Sequence, residues 1–205
     1  GRGGTILTQV AQWAESAFLG TESRVSAADM RPLFSVSLRN LLPQASFIGC
    51  GDLRVLDVAC SSHQVTAGGL FAALPGTTRH GREFVADAMD RGASAVLTDL
   101  PLVHCSLPQC VVANPRAAYA QLCHALYGNP TRHLGVIGVT GTNGKTTTTW
   151  MIRSILEAAR GACGLLGTIE CSDGIGRAPS TLTTPESRSL AQFLAATHSH
   201  GVRYA

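Results

Sequence analysis

The chain has 205 residues, of which 45% are hydrophobic and 14% are charged, so it can bury a sizeable core and does not have the composition of a disordered protein. Its net charge of +3 is too small to indicate a nucleic-acid partner. No apolar run approaches the roughly 18 residues of a membrane span and no signal peptide is visible. We therefore expect a cytoplasmic protein that is not inserted in a membrane.

Residues 1–34 are the least informative part of the chain, and we interpret them as a tail of unknown role. Residues 5–19 carry apolar side chains at helical spacing, and Gly20 would end such a helix. Met30 fits a translation start, because the residues after it read as the beginning of a domain. The chain stops at Ala205 inside an apparently structured stretch, so we expect it to be a piece of a longer protein.

Residues 35–128 are predicted to form a first α/β domain, because strand and helix patterns alternate along them. Ser37 can cap a short helix. Gly92 can end a second helix, and Pro115 suits the first position of a third. The predicted strands are 54–58, 69–74, 94–98 and 110–113, and the predicted helices are 38–42, 81–91 and 115–126. The Gly-Asn-Pro sequence at 128–130 marks the predicted boundary.

The stretch 133–160 reads as a strand, a glycine loop and a helix. Residues 134–140 are rich in Val and Ile, which is typical of a strand buried on both faces. The loop is GTNGKT, from Gly141 to Thr146. The helix, 147–160, carries its apolar residues at helical spacing, namely Trp150, Met151, Ile155, Leu156 and Ala159.

This loop has the chemistry of a polyphosphate site. Wrapping phosphates requires inward-pointing backbone N–H groups, which small residues permit. It also requires a cation for the outer phosphates and a hydroxyl for Mg²⁺, and Lys145 and Thr146 fit these roles. Both lie at a predicted helix N-terminus, whose dipole favours anions.

Further elements are predicted after this helix. Residues 163–168 read as a parallel strand and Ser172 to Gly174 as a turn. Residues 176–179 read as a short irregular segment. A helix through residues 190–198 comes next, and residues 202–205 begin another strand.

The seven cysteines are odd in number and form no CxxC pair, so we interpret them as reduced thiols. The pairs His104-Cys105 and Cys123-His124, with Cys110 between them, match no zinc template.

The loop GTNGKTTT departs from the common pattern G-x-x-x-x-G-K-[ST], because Val139 stands at the position of the first glycine. This variant resembles the Mur ligases and the related folylpolyglutamate synthetases, ATP-dependent enzymes that form amide bonds. The motif V-x-x-G-x-L-F-x-A-L-x-G, followed by H-G-x-x-F-x-x-x-A-x-x-x-G-A-x-A-V, runs from Val65 to Val96. It is similar to the N-terminal, uridine-nucleotide-binding domain of MurE- and MurF-type ligases. The series GTNGKTTT, LLGT and TTPE resembles the MurE type best, and the likeness covers residues 36–205.

The resemblance implies the fold class and the reaction. The expected fold is α/β, with a small mixed UDP-binding domain at 35–128 followed at 129–205 by the start of a parallel-sheet ATPase domain with a phosphate loop. Such enzymes join UDP-N-acetylmuramoyl-L-alanyl-D-glutamate to a diamino acid, meso-diaminopimelate or L-lysine, in bacterial peptidoglycan synthesis. ATP phosphorylates a carboxylate, and the amine then attacks the acyl phosphate. The oligomeric state is not implied.

The resemblance also implies site residues. Lys145 would act on the transferring phosphoryl group, and Thr146 would bind Mg²⁺. The expected ATP-binding residues are Gly141, Thr142, Asn143, Gly144, Lys145, Thr146 and Thr147. The expected substrate-binding residues are Ser62, Thr77, Thr78 and Arg79 for the uridine nucleotide, and Thr183 and Thr184 for the muramoyl peptide.

Two departures from the family pattern leave alternatives open. Ser61-Ser62-His63 stands where the family usually has Asp-Ser-Arg, and Leu182 stands where Asn is common. The alternatives are a MurF-type or other Mur-related ligase, and a nucleotide-binding module without ligase activity. We also expect residues 1–205 alone to be inactive, because catalytic groups of such ligases would lie beyond Ala205.

Overall fold

The computed structural model describes residues 30–180 and 185–205. The predicted helix at 5–19 and the predicted substrate residues Thr183 and Thr184 lie outside these ranges. The described chain divides into two compact units. The first unit is Pro32–Gly128, and the second is Asn129–Ala205 together with the described residues before Pro32.

The first unit is a mixed α/β layer structure around a five-stranded sheet. Its elements are β1 (Val36–Ser37), α1 (Leu38–Leu41), β2 (Ser46–Ile48), β3 (Arg54–Val55), β4 (Val58–Ala59), β5 (Leu70–Ala72), α2 (Val85–Asp90), β6 (Ala95–Thr98), β7 (Gln109–Val111) and α3 (Pro115–Leu126). Short 3₁₀ helices occupy Ser62–Gln64 and Gly81–Phe84. The strand order is β2-β7-β6-β5-β4, in which β4 to β7 are parallel and β2 is an antiparallel edge.

The core of this unit lies between the parallel strands and the helices that come after them. Phe71 and Val96 are fully buried on neighbouring strands, and they pack with Val85 and Ala88 of α2. All four residues of β6 are buried, as expected of a central parallel strand. The parallel arrangement brings the carboxyl ends of β4, β5 and β6 to one edge of the sheet, where ligands bind in open α/β folds.

The predicted helix starts and ends in the first unit are present in the structure. The Ser37 side chain accepts a hydrogen bond from the Asn40 amide and caps α1. Pro115 begins α3, with Asn114 accepting from the Ala117 amide. Gly92 follows α2 with a φ of +91°. The predictions were wrong in detail elsewhere, since the predicted strand 54–58 is two short strands, β3 and β4, and β2 was not predicted.

The second unit contains a small antiparallel sheet, whose three strands lie between two helices in the sequence. Its elements are a 3₁₀ helix (Pro130–Arg132), α4 (Lys145–Arg160), β8 (Leu165–Leu166), β9 (Glu170–Ser172), β10 (Arg177–Pro179) and α5 (Ser187–Ser199). The sheet order is β10-β9-β8. The segments 135–137 and 203–205 also pair in parallel, with the Gly135 amide donating to Arg203 at 2.8 Å and the Ile137 amide to Ala205 at 2.9 Å.

Three predictions for the second unit were wrong. The segment 134–140 is not buried on both faces, because Val136 and Ile137 are 48% and 46% exposed. The strand after α4 pairs with β9 in antiparallel fashion, and the segment predicted as irregular contains β10. A hydrophobic run indicates a preference for burial, and Gly or Pro residues indicate a turn. Whether a strand pairs in parallel or antiparallel fashion, and whether it is buried, depends on the segments that pack beside it.

The buried face of α4 also differs from the prediction. Met151 and Ile155 are 62% and 68% exposed, whereas the only residue of this helix classed as buried is Arg153, at 4% exposure. In the described residues, the helix thus packs a charged side chain inward and leaves apolar ones outward. The structure places no helix long and apolar enough to cross a membrane anywhere in 30–180 or 185–205.

Candidate functional site

The glycine loop begins α4 with the backbone shape that a phosphate cradle needs. Gly144 is the residue before the helix and has a φ of +77°, a left-handed conformation that favours glycine. Gly141 has a φ of +149°. The Thr148 amide bonds the Gly144 carbonyl at 2.9 Å, which leaves the amides of the first helical turn without intrahelical acceptors. The residues that the sequence predicted for ATP, 141–147, therefore form one continuous loop and helix start.

Lys145 folds back across this loop. Its Nζ donates to the carbonyl of Gly141 at 2.6 Å and lies 3.4 Å from the carbonyl of Thr142. Lys145 is also the sole lysine among the 205 residues of the sequence. The ammonium is therefore positioned at the mouth of the loop by backbone acceptors, which a negatively charged ligand can replace.

Two threonines of the first turn have different surroundings. Thr146 is partly buried and Thr147 is exposed. The Thr146 carbonyl accepts a hydrogen bond from the Thr149 hydroxyl at 2.8 Å. Lys145 and Thr146 line one small pocket with Trp150 and the segment 167–170. Sequence reasoning missed Glu170 of β9, which also lines this pocket.

Glu170 belongs to an ion-pair cluster that includes the inward face of α4. Arg153 donates to Glu157 at 2.8 Å and to Glu170 at 2.7 Å. Arg177 lies 3.9 Å from the same Glu170 oxygen. Burial lowers the pKa of Arg153, but its hydrogen bonds to the two glutamates outweigh this and raise it. The spacing of Arg153 and Glu157 (four residues on a helix) was the available sequence signal.

The donor set at the loop fits a magnesium ion shared with a phosphate. Mg²⁺ keeps several waters and takes one or two protein oxygens in phosphate sites. The Thr146 hydroxyl would supply such an oxygen at the helix start, and Thr146 lines the same pocket as Glu170. Within residues 30–180 and 185–205, no group of three or more His, Cys, Asp or Glu side chains could hold a metal ion.

The predicted uridine-nucleotide residues lie at the carboxyl edge of the sheet in the first unit. Ser62 follows β4, and Thr77, Thr78 and Arg79 follow β5, its parallel neighbour. Ser62 is 4% exposed and hydrogen-bonds Asp87, whereas the three residues at 77–79 are exposed. Ser62 therefore braces α2, and only the exposed trio has its side chains open to solvent.

Neighbouring side chains fix the base of the 77–79 loop. Arg79 donates to Glu83 at 2.9 Å and lies over the Phe84 ring, 4.4 Å from its centroid. Glu83 in turn accepts from the His80 amide at 2.9 Å, and the His80 side chain caps the same 3₁₀ helix. The His80 backbone hydrogen bond, followed by the Arg79 side-chain bond, holds the pKa of Glu83 below its usual value.

Comparison with known families matches both units. Residues 139–205 match the Mur ligase middle domain, and residues 55–127 match the catalytic domain of the Mur ligase family. The chain belongs to the Mur ligase family. The resemblance predicted from GTNGKTTT and from the motif at Val65 to Val96 is thus confirmed.

Curated relatives of this Mur ligase chain are diaminopimelate ligases. It is 40% identical over 155 residues to the UDP-N-acetylmuramoyl-L-alanyl-D-glutamate–2,6-diaminopimelate ligase of Streptomyces coelicolor, a match that covers 74% of this chain and 30% of that enzyme. The ligase of the same name from Geobacter sulfurreducens is 41% identical over 143 residues, with 68% and 28% covered. The chain therefore spans about 30% of the length of these relatives.

Solved Mur ligase structures share the fold. A UDP-N-acetylmuramoyl-L-alanyl-D-glutamate–2,6-diaminopimelate ligase superposes with a TM-score of 0.63 at 22% identity, covering 84% of this chain and 35% of that one. MurF from Acinetobacter baumannii superposes with a TM-score of 0.54 at 24% identity, covering 85% and 35%. These similarities support the α/β fold that the sequence predicted.

Proposed function

We propose that this chain supplies the nucleotide-binding parts of an ATP-dependent ligase that joins a diamino acid to UDP-N-acetylmuramoyl-L-alanyl-D-glutamate. The names of the curated relatives support this reaction and favour 2,6-diaminopimelate as the diamino acid. The observation that carries the proposal is the loop Gly141–Gly144, with Lys145 folded over it at the start of α4. On this proposal the enzyme acts in the bacterial cytoplasm, where its nucleotide substrates are found.

The loop would hold the ATP phosphates through its own backbone. The free amides of residues 141–147 would point at phosphate oxygens, and the helix dipole would favour their charge. Lys145 would exchange the Gly141 carbonyl for an outer phosphate and stabilise the charge of the transferring group. Thr146 would hold Mg²⁺, which supplies Lewis-acid polarisation of the phosphoryl group when bound.

The remaining predicted residues would bind the other substrate. The exposed residues Thr77, Thr78 and Arg79 would contact the uridine nucleotide, with Ser62 positioning the neighbouring turn through Asp87. Thr183 and Thr184 would contact the muramoyl peptide. The acceptor carboxylate would take the γ-phosphoryl group of ATP, releasing ADP. The amine of the diamino acid would then attack the acyl phosphate, forming the amide bond and releasing inorganic phosphate and a proton.

The sole lysine allows a direct test of the phosphate site. Purified chain is treated with an amine-acylating reagent, and modification of Lys145 is followed by peptide mass spectrometry with and without MgATP. We expect MgATP to slow acylation of Lys145 at least tenfold, because phosphate contact removes the free amine, while adenosine should not protect. The N-terminal amine serves as the internal control within the same sample.

A matched pair of variants completes the test. Lys145→Ala should weaken MgATP binding by roughly 10–100-fold, the range of a lost charged hydrogen bond of about 1.5–3 kcal/mol. Lys145→Arg should lose part of the affinity, since it keeps the charge but not the compact ammonium. ATP binding by a folded Lys145→Ala chain with wild-type affinity, or absence of protection in the wild type, would overturn the assignment.

A further inference from the structure

Arg153 is an unusual residue for the inward face of a helix. It is the one residue of α4 classed as buried, at 4% exposure, and its charge must be compensated because an unpaired buried cation is costly. The compensation comes from Glu157 on the same helix and from Glu170 on β9, at 2.8 and 2.7 Å. Arg153 therefore ties the helix that begins at the phosphate loop to the neighbouring sheet.

The two glutamates that Arg153 holds are not equivalent. Glu157 lies one turn along α4, with 37% of its side chain exposed, and does not line the pocket at the loop. Glu170 is 18% exposed and lines that pocket together with Lys145 and Thr146. An acidic residue thus lines the same pocket as the lysine that the proposed function assigns to phosphate.

In the structure Lys145 does not pair with this carboxylate. Its Nζ contacts the carbonyls of Gly141 and Thr142, while Glu170 Oε1 is held by Arg153 and approached by Arg177. Two arginines therefore already compensate the charge of Glu170. Without Arg153, Glu170 would keep only Arg177, which is 3.9 Å away and 62% exposed, so water weakens that pair, and Lys145 lines the same pocket.

We propose that Arg153 is a positioning residue that retains the Glu170 carboxylate, so that Lys145 stays available for the phosphates of a nucleotide. This inference rests on the proposed function of the loop. Glu170 without its buried partner would compete for Lys145 and would repel phosphate in a half-buried pocket, where screening by water is weak. Arg153 would thus act on phosphate binding through two other residues.

The test is a charge-rescue series on the whole chain. Arg153→Gln should weaken MgATP binding roughly tenfold. A charge within about 4–6 Å of an ionisable group shifts its pKa by about 1–3 units, and tenfold corresponds to the lower end of that range. Glu170→Gln should bind MgATP at least as well as the wild type. The double variant should return to within about twofold of it, because neither charge is left alone. Arg153→Lys should lose less affinity than Arg153→Gln, because it keeps the charge but not the two donors that reach both glutamates.

Two further measurements separate charge from mere packing. The loss in Arg153→Gln should be large for MgATP, smaller for MgADP and absent for adenosine, whereas a distorted pocket would weaken all three. Acylation of Lys145 without nucleotide should slow in Arg153→Gln and recover in the double variant. Glu157→Gln is the matched control, because it removes the other partner of Arg153 and should leave both readouts unchanged.

The outcomes distinguish this inference from the proposed function. If wild-type chain binds no MgATP, the function of the loop fails. If the wild type binds MgATP but Arg153→Gln binds it equally, or if the double variant and Arg153→Lys are as weak as Arg153→Gln, the role of Arg153 fails while the function stands. Thermal unfolding of each variant establishes that it is folded. If Arg153→Gln does not fold, Arg153→Lys still tests the inference.

Discussion

His80 Nε2 lies 3.2 Å from Asp99 Oδ2, while His80 Nδ1 accepts a hydrogen bond from the backbone amide of Arg82 at 3.2 Å. A ring nitrogen that accepts carries no proton, so the hydrogen-bond network assigns the proton to Nε2. His80 thus links the start of the 3₁₀ helix at Gly81 to the end of β6. It supports the base of the loop proposed to bind the uridine nucleotide.

Replacing His80 should destabilise the first unit. His80→Ala removes a cap and should cost about 1 kcal/mol of unfolding free energy, whereas His80→Asn, whose side chain can still accept at a cap, should cost less. Urea unfolding monitored by circular dichroism measures both. His104→Ala, at an exposed position of the same unit, is the control. Equal stability of His80→Ala and His104→Ala would contradict a capping role.

Asp99 should make the unfolding free energy of the first unit depend on pH in the acidic range. Burial raises its pKa, but the hydrogen bonds from its own backbone amide and from His80, with the charge of Arg82, together lower it. A carboxyl with a lowered folded pKa stabilises the fold above its unfolded pKa of about 4, and this contribution is lost as pH falls through the folded pKa. The stability difference between wild type and Asp99→Asn should therefore shrink as pH falls below about 4.

Urea titrations at several pH values measure this difference, with Asp90→Asn at an exposed position of α2 as the reference variant. A difference that stays constant down to pH 3 would show that Asp99 gains nothing from its partners.

Gly81, the glycine of the H-G-x-x-F motif, should tolerate no side chain. A Cβ there would lie 2.6 Å from the Leu74 nitrogen and 2.7 Å from the Ala73 carbonyl carbon, and these backbone atoms cannot swing aside. Gly81→Ala should cost about 3 kcal/mol, the upper part of the range for overpacking. Gly51→Ala, which meets nothing within 4 Å, should stay within about 0.5 kcal/mol of wild type. Similar unfolding midpoints for the two variants would refute the steric explanation.

His63 should have no charge-dependent role in binding uridine nucleotides. The neighbouring Ser62 hydroxyl hydrogen-bonds Asp87 of α2, and the charge of His63 also contributes to lowering the pKa of Asp87. A protonated His63 is therefore attracted to α2, which favours a bracing role for this turn. We expect the wild type and His63→Arg to bind a UDP-containing substrate with parallel pH dependence from 5.5 to 8. A gap between the two curves that closes as pH falls would instead support a charge role.

The shape of the candidate phosphate loop was predictable, because neighbouring residues in the chain decide its conformation. Gly144 before Lys145, and the hydroxyl of Thr146 one residue later, follow from the demands of a helix start that accepts anions, and the structure forms that loop continuously. Glu170 was not predictable in the same way. It lies 25 positions after Lys145, and only the packing of β9 beside α4 brings the two side chains to one pocket.

The fold also has features that neighbouring residues decide and features that tertiary contacts decide. The sequence by itself determined the alternation of strands and helices, the Ser37 cap and the start of α3 at Pro115, because each depends on hydrogen bonds or backbone angles within a few residues. Tertiary structure alone decided that Arg153 faces inward while Met151 faces solvent, and that β8 pairs with β9 in antiparallel fashion. A hydrophobic pattern fixes which residues would gain from burial, whereas the ion pairs and strand pairings that distant segments offer decide which ones are buried.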